Sequence, residues 1–254
     1  MSALGHELAA LAVMGGLCGG ILAAAELLRA GGLGPEATRK LVHVSTGLAA
    51  AAFPWTFASP WSVAALCGAF LALVGWTRRR GRLLSVHGVG RRSEGGVSFP
   101  AAVAVLFCLT VDRPALYVSS VLVLAFADPM AALVGRARGR RLYRVRGEVK
   151  SLEGSLAFLA TAFPCVLGPL ALMTSLPLRA CLLAAFLAAL FATACEAVSP
   201  AGSDNATVPL GTWLVLAGLT GGLGSGGTTI PLLVGASLGA AALVLGGPRV
   251  PSRA

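Results

Sequence analysis

Nine runs of hydrophobic residues alternate with short polar segments along the chain. They cover residues 7–28, 41–57, 61–76, 97–111, 114–135, 155–173, 179–198, 208–223 and 229–246. A helix needs about 20 apolar residues to cross the hydrocarbon core of a bilayer, and several of these runs are somewhat shorter. None of them alternates polar and apolar positions as the strands of a membrane barrel do. The pattern predicts an all-α, polytopic transmembrane helical bundle with about nine spans, in a range of seven to nine.

The amino-acid composition supports the interpretation of the chain as a membrane protein. The chain is 56% hydrophobic and 12% charged, with a mean hydropathy of +0.83. Because the bilayer core contains no water, each span has to pair its own backbone groups, which a helix does. We therefore interpret residues 1–254 as a single integral-membrane domain, with its polar motifs between about residues 39 and 210.

The basic residues indicate the orientation. With the N-terminus outside and nine alternating spans, all of the 20 lysines and arginines except Arg113 and Arg179 fall on the inner side. Positive residues concentrate in the cytoplasmic segments of membrane proteins, so we expect a cytoplasmic C-terminus. The net charge of +10 then reflects topology and contact with anionic lipids, and nucleic acid is not an expected partner. The Ala-, Gly- and Arg-rich composition is typical of a high-GC bacterium, in which case the membrane is the inner one.

Acidic groups occur where apolar residues are expected. Asp128 lies inside the fifth run, directly before Pro129. An ionised Asp at the centre of a span costs about 2.5–3.5 kcal/mol, and such a residue generally lines a polar cavity; the alternative is a carboxylate neutralised by an arginine. Glu196 ends the seventh run, and Asp204 and Asn205 precede the eighth. Their oxygens suit Mg²⁺, whereas the alternative makes Asp204 a helix cap and Asn205 a turn residue.

Two basic motifs stand at the beginnings of hydrophobic runs. In Lys150-Ser151-Leu152-Glu153-Gly154-Ser155, an ammonium, hydroxyls and the N–H groups of a helix start could hold an anion. The alternative is a capped helix, with Ser151 as N-cap and Glu153 in the first turn. Arg39-Lys40-Leu41-Val42-His43 opens the second run, where basic residues usually anchor a span at the headgroups and a hydrogen-bonded structural histidine is the alternative for His43.

The predicted topology brings these polar groups to one face of the membrane. Carboxylates beside lysine and arginine are typical of a site for a metal ion and a polyphosphate, where catalysis consists mainly of positioning and charge neutralisation. The chemistry indicated is phosphoryl or nucleotidyl transfer to a substrate that reaches the site from the lipid. The converging residues are Lys40, His43, Asp128, Lys150, Glu153, Glu196, Asp204 and Asn205.

In their order along the chain, these motifs resemble the integral-membrane, CTP-dependent lipid-alcohol kinases, which include dolichol kinase and phytol kinase. The matching segments are residues 39–43, 95–100, 128–136, 150–155 and 196–205. The chain differs from the usual family pattern in having Ala127 where Gly often precedes the aspartate, and in its arginine-rich loop 136–149.

The resemblance implies CTP as phosphoryl donor and Mg²⁺ or another divalent cation as cofactor. It implies a long-chain isoprenoid or related lipid alcohol, of the polyprenol, dolichol or phytol type, as acceptor. The implied catalytic residues are Asp128, Lys150, Glu196 and Asp204, whose three acids are also the implied metal ligands. The implied nucleotide-binding residues are Arg136, Lys150, Ser151, Glu153, Gly154 and Asn205, with accessory roles for Arg39, Lys40 and His43.

Two other functions fit parts of the pattern. Residues 128–155 also resemble phosphatidate cytidylyltransferase, a CTP-dependent lipid nucleotidyltransferase. The C-terminal His-Gly-Gly and Asp-Arg-x-Asp motifs of that family are missing, and Asp204-Asn205 stands instead. A transporter or a non-catalytic lipid-binding protein is a third alternative, although transporters place their acids near the midplane of the membrane. The acceptor and the oligomeric state are left open.

Overall fold

The computed structural model describes residues 2–81, 83, 85, 95–145, 148–200 and 202–221, which are predominantly helical. The first helices are α1 (Ala3–Ala30), α2 (Pro35–Ala51), the single turn α3 (Phe53–Thr56), α4 (Pro60–Arg79) and α5 (Gly95–Leu109). Helix α6 (Pro114–Leu122) continues through a π-helical segment, Val123–Ala127, into α7 (Asp128–Arg138). A hairpin of β1 (Leu142–Val145) and β2 (Glu148–Ser151) leads to α8 (Leu152–Met173), α9 (Leu178–Val198) and α10 (Asp204–Leu219).

The helical membrane architecture is confirmed. Five helical segments are long and apolar enough to cross a membrane, and they match the first, third, fifth, sixth and seventh predicted spans: Ala3–Ala30, Pro60–Arg79, Pro114–Arg138, Leu152–Met173 and Leu178–Val198. Shorter helices, α5 and α10, stand at the fourth and eighth. The predicted span 229–246 and the C-terminus lie outside the described residues, so the total of nine spans and the orientation of the termini stay predictions.

Proline and serine residues set where several helices begin. Pro35, Pro60 and Pro114 each occupy the first turn of a helix, where the missing N–H is not needed. The hydroxyl of Ser59 accepts a hydrogen bond from the N–H of Trp61 and caps α4. Because of Pro35, α2 begins before the hydrophobic run at residue 41 and includes the polar residues that precede it.

Contacts between helix ends show the relative directions of two pairs of helices: α1 and α4 begin side by side, whereas α6 begins where α10 ends. At one end, the Glu7 carboxylate at the start of α1 accepts a hydrogen bond of 2.8 Å from the N–H of Ala58, before α4. Arg113, before α6, donates to the carbonyl (2.9 Å) and the hydroxyl (2.6 Å) of Thr220, after α10. The candidate site residues lie towards the other end of the bundle, on α2, α7, α8, α9, α10 and strand β2.

The buried residues form two main hydrophobic clusters. One joins α6 to α10 and includes Phe158 and a line of small residues on α9. Small residues let helices approach closely, and those on α9 are Ala184, Ala185, Ala188, Ala189 and Ala192. The other cluster joins α1 to α6 around Leu106 and Tyr117. Large side chains such as Trp61 and Leu172 are 83% and 86% exposed, as is suitable for a surface in contact with lipid.

Candidate active site

A cavity of about 770 Å³ opens at one end of the bundle, within the usual range of about 300–1,000 Å³ for ligand pockets. Several elements contribute polar side chains to its wall, among them Asp128 from α7, Lys150 from β2, Glu196 from α9, and Asp204 with Asn205 from α10. These residues are far apart in the chain, so the fold assembles the polar group that the sequence predicted.

Asp128 is placed by the irregular helical turn before it. The π-helical segment Val123–Ala127 interrupts the continuous helix directly before Asp128. Pro129 has no N–H to donate to the carbonyl four residues earlier, and a proline ring in a helix interior pushes that carbonyl away. Such π-turns widen a helix and are frequent at functional sites. The turn therefore directs Asp128 towards the cavity from within an otherwise apolar segment.

Helix α2 supports this turn from outside the cavity. The Nε2 atom of His43 lies 3.0 Å from the carbonyl oxygen of Leu124, and Lys40 Nζ donates to the carbonyl oxygen of Pro129 at 3.3 Å. Burial lowers the pKa of Lys40, and the nearby charge of Asp128 opposes this effect. The structure thus places Lys40 and His43 behind Asp128, in contact with its backbone neighbours.

Lys150 and Glu196 form an enclosed ion pair. Lys150 Nζ lies 2.8 Å from Glu196 Oε1, and the two side chains are 13% and 9% exposed. The same ammonium group donates to the Glu196 carbonyl oxygen, near the C-terminal end of α9. Oε2 of Glu196 is buried and has no hydrogen-bond partner in the described part of the chain. The pair fixes the ammonium at the cavity wall and leaves one carboxylate oxygen for a ligand.

Ser151 and Gly154 organise the crossing of α7 and α8. The Ser151 hydroxyl accepts a hydrogen bond of 3.1 Å from the N–H of Gly154 and caps α8, as the structural alternative for this motif predicted. A Cβ atom on Gly154 would lie 2.9 Å from the carbonyl oxygen of Ala131 and 3.4 Å from the Cα of Gly135. Glycine is therefore required at this crossing, and both Ser151 and Gly154 also line the cavity.

Glu153 points away from the cavity lining. Its carboxylate accepts hydrogen bonds from the backbone N–H groups of Arg140, at 3.1 Å, and Arg141, at 3.2 Å. These contacts hold the segment between α7 and the hairpin against the first turn of α8. The described geometry assigns Glu153 a structural contact, while a role in nucleotide binding stays a prediction.

The hairpin was missed by the sequence analysis, which treated residues 136–149 as a loop. Tyr143 pairs with Lys150 across its two strands. The buried Tyr143 hydroxyl lies 2.8 Å from the hydroxyl of Ser155 on α8, and burial raises the pKa of Tyr143 to about 12. Tyr143 thus anchors the hairpin to α8 and determines where Lys150 projects.

A short loop between α9 and α10 positions Asp204 and Asn205. Gly202, with φ of +83°, provides the left-handed turn, and its carbonyl accepts a hydrogen bond of 2.8 Å from the hydroxyl of Ser98 on α5. The Asp204 Oδ1 atom accepts one of 2.9 Å from the N–H of Asn205. The hydrogen bond from Ser98 gives the motif at residues 95–100 a structural role: the first turns of α5 hold the loop that precedes Asp204.

Glu36 is a cavity residue that the sequence analysis missed. It forms ion pairs with Arg39 at 2.8 Å and with Arg136 at 2.5 Å, and all three residues line the cavity. Although burial opposes ionisation, the hydrogen bonds and charges of the two arginines lower the pKa of Glu36 to about 2. Its spacing of three from Arg39 was a visible signal of a helical ion pair.

The described residues contain no compact group of three or more His, Cys, Asp or Glu side chains able to hold a metal ion by themselves. Asp128, Glu196 and Asp204 nevertheless line one cavity. Their assignment as metal ligands stays a prediction. A bound ion would need oxygen atoms of a substrate, in addition to these carboxylates, to complete its coordination.

A comparison with known proteins gives the family. A phytol kinase from Synechocystis sp. is 33% identical over 201 residues, which are 78% of this chain and 85% of that kinase. The chain belongs to the lipid-alcohol kinase family. No model of a known protein family matches it, and no solved structure matches the fold.

This lipid-alcohol kinase is an integral membrane protein, and its cavity contains most of the residues that the sequence singled out. The described elements bring together Arg39, Asp128, Arg136, Lys150, Ser151, Gly154, Glu196, Asp204 and Asn205. Lys40, His43 and Glu153 are outside the described lining and contact the elements that form it.

Proposed function

We propose that this lipid-alcohol kinase transfers the γ-phosphoryl group of CTP to the hydroxyl of a long-chain isoprenoid or related lipid alcohol. The observation that carries the proposal is the cavity in which carboxylates from α7, α9 and α10 meet Lys150 and two arginines. The name of its Synechocystis relative, phytol kinase, supports a lipid-alcohol acceptor. CTP as donor follows from the resemblance of the ordered motifs to CTP-dependent kinases.

The charge of the cavity supports a requirement for a divalent cation. Its described lining contains five carboxylates (Glu36, Asp128, Glu148, Glu196 and Asp204) and three cationic side chains (Arg39, Arg136 and Lys150). A triphosphate without a cation would therefore meet surplus negative charge. Mg²⁺ is commonly bound by one or two carboxylates together with substrate phosphates.

The donor atoms present suit such an ion. Asp128 and Asp204 supply hard carboxylate oxygens on two walls of the same cavity, so no preformed cluster of three protein ligands is required. We assign these two residues to the ion. When bound, it would neutralise charge on the phosphate oxygens.

Lys150 and Glu196 are assigned to the transfer itself. The Lys150 ammonium, fixed by Glu196, donates to oxygens of the transferred phosphoryl group. The alcohol oxygen bonds to the γ-phosphorus, the bond from phosphorus to the bridging oxygen breaks, and CDP leaves. The proton of the alcohol passes to a cavity carboxylate, for which Glu196 Oε2, buried and without a partner among the described residues, is the best placed.

We place the active site on the cytoplasmic side, because Arg136, Gly139 and Leu142 of the arginine-rich segment line the cavity and positive segments generally stay in the cytoplasm. The same arginines suit anionic headgroups. In a bacterium the membrane would be the inner one, and the acceptor would reach the cavity from the bilayer.

The decisive experiment offers the purified protein CTP or ATP with Mg²⁺ and a panel of lipid alcohols, phosphatidate and diacylglycerol. We expect CDP and a lipid monophosphate with an alcohol, and no product from the Lys150→Ala variant purified in parallel. Pyrophosphate release with phosphatidate would instead establish a nucleotidyltransferase. Failure to turn over any acceptor would favour transport or lipid binding.

A further inference from the structure

A single carboxylate joins two arginines from distant parts of the chain at the cavity wall. Glu36 is in the first turn of α2, Arg39 is one turn later, and Arg136 is in the last turn of α7. Glu36 Oε1 accepts from both guanidinium groups, at 2.8 Å and 2.5 Å, and Oε2 accepts from Arg39 Nε at 3.1 Å. Without this carboxylate the two like charges would repel each other.

The two guanidinium groups suit a polyphosphate. An arginine carries five N–H donors in a planar fork that matches phosphate oxygens. The contact with Glu36 uses one terminal nitrogen of Arg136, and the Arg136 side chain is 55% exposed. Arg39 is also within electrostatic reach of Asp128 and Asp204. Both arginines line the same cavity as the carboxylates that we assign to the metal ion.

We infer that Glu36 is a positioning residue that holds Arg39 and Arg136 together as a clamp for the polyphosphate of the nucleotide. The inference rests on the proposed function, since it concerns the donor of that reaction. Glu36 acts through the arginines and has no contact with the transferred group. Its loss would let the guanidinium groups move apart, which weakens nucleotide binding more than it slows the transfer step.

Whether triphosphate binding becomes stronger or weaker when Glu36 is neutralised separates a positioning role from a purely electrostatic one. Removal of a negative charge from an anion-binding cavity should strengthen triphosphate binding if only net charge matters. Removal of the residue that orients two phosphate-binding groups should weaken it. Glu36→Gln tests this directly, and Glu36→Asp keeps the charge at the same position while withdrawing the carboxylate by one methylene group, as a control for charge alone.

The experiment measures KM for CTP and kcat with a lipid alcohol in both variants. For Glu36→Gln we expect KM to rise about 10- to 100-fold, by analogy with the loss of residues that orient metal ligands, with kcat changed less than about threefold. KM for Glu36→Asp should lie between those of wild type and Glu36→Gln, because the charge is kept while the carboxylate is withdrawn from the two arginines. A KM that falls in Glu36→Gln, or a loss confined to kcat, would overturn the inference.

Two further measurements make the test independent of the acceptor and of folding. The rise in KM of the double variant Glu36→Gln/Arg136→Met should be smaller than the product of the two single rises, because Glu36 acts through Arg136 as well as through Arg39; independent losses that multiply would contradict this. Calorimetry with Mg²⁺ and inorganic triphosphate should show weaker binding in Glu36→Gln than in wild type. That result would support the clamp even if wild type failed to phosphorylate a lipid alcohol, which would refute the proposed function alone.

Discussion

At the scale of single residues, the Lys150–Glu196 ion pair joins a structural contact to the role that we propose for it in phosphoryl transfer. Both side chains are largely buried and 2.8 Å apart. A buried pair that loses one partner usually costs about 3–5 kcal/mol, because the remaining charge is left uncompensated. Lys150 is therefore expected to contribute to stability as well as to phosphoryl transfer, and the two contributions can be separated by removing the partners singly and together.

We expect Lys150→Met to lower the stability of the protein in detergent and to abolish phosphorylation. The double variant Lys150→Met/Glu196→Gln should regain part of the lost stability, because the unpaired charge is gone, while remaining inactive. Thermal unfolding and CTP turnover, measured on the same preparations, check both expectations. A double variant less stable than Lys150→Met would show that the pair is not the source of the loss.

If Asp128 and Asp204 bind a divalent cation, as we propose, their loss should change both the rate and its dependence on Mg²⁺. Asp128→Asn and Asp204→Asn should each lower kcat by about 10²-fold or more, as expected when a group that stabilises transition-state charge is lost, and should raise the Mg²⁺ concentration needed for half-maximal rate. Asp112→Asn changes an exposed aspartate in the turn before α6, at the opposite helix ends, and should behave as wild type. An unchanged Mg²⁺ dependence in both cavity variants would refute the assignment.

Asp128 could be recognised as a candidate site residue from the sequence, whereas Glu36 could not, and the difference has a physical reason. Asp128 was visible because a carboxylate is costly within an apolar run. Glu36 stood in a polar segment ahead of a run, where a charge needs no explanation. Its importance comes from Arg136, which is 100 positions away, and no local pattern reports that pairing.

At the scale of elements, the approach of α7 and α8 determines the shape of the cavity wall. The crossing depends on Gly154, where an added Cβ atom would lie 2.9 Å and 3.4 Å from two backbone atoms of α7. Neither this contact nor the π-helical turn was predicted, because periodicity identifies a helix but not the distance between two helices. The hairpin was also missed, since its two strands have four residues each and carry the charges of an ordinary loop.

Gly154→Ala is expected to destabilise the protein by about 1–3 kcal/mol, the usual cost of overpacking, and to reduce activity because α7 carries Asp128. Gly168→Ala is the matched control in the same helix, since no atom lies within 4 Å of its added Cβ. That variant should be as stable as wild type or slightly more so, because alanine favours a helix. Equal unfolding temperatures for the two variants would contradict the close crossing.

At the scale of the whole molecule, the helices separate the cavity end from the end that carries Glu7 and Arg113. The sequence predicted this separation from the distribution of basic residues, and the contacts between helix ends agree with it. The charge pattern also predicts that the cavity end faces the cytoplasm. The described contacts do not indicate the orientation. The hydrophobic runs also predicted the positions of the five long apolar helices, because burial in lipid requires long apolar segments. The second run, 41–57, is instead divided between α2 and the single turn α3.

Cysteine labelling in a variant without native cysteines tests the orientation. Arg144→Cys on the hairpin and Ala58→Cys before α4 both introduce thiols at exposed positions at opposite ends of the bundle. In intact cells, a membrane-impermeant reagent should label position 58 and leave position 144 unlabelled. In inside-out vesicles the pattern should reverse. Labelling of position 144 in intact cells would place the cavity on the outer face.

The close crossing at Gly154 also bears on how freely the hairpin can vary in length. The hairpin connects α7 to α8, and these two helices already contact each other at Gly154. The two ends of the connection are therefore held in place independently of the length of the hairpin. Each doubling of a flexible loop then adds only about 0.6 kcal/mol. A short peptide tag inserted between Val145 and Glu148 should thus leave CTP turnover intact, which an assay of the tagged protein checks.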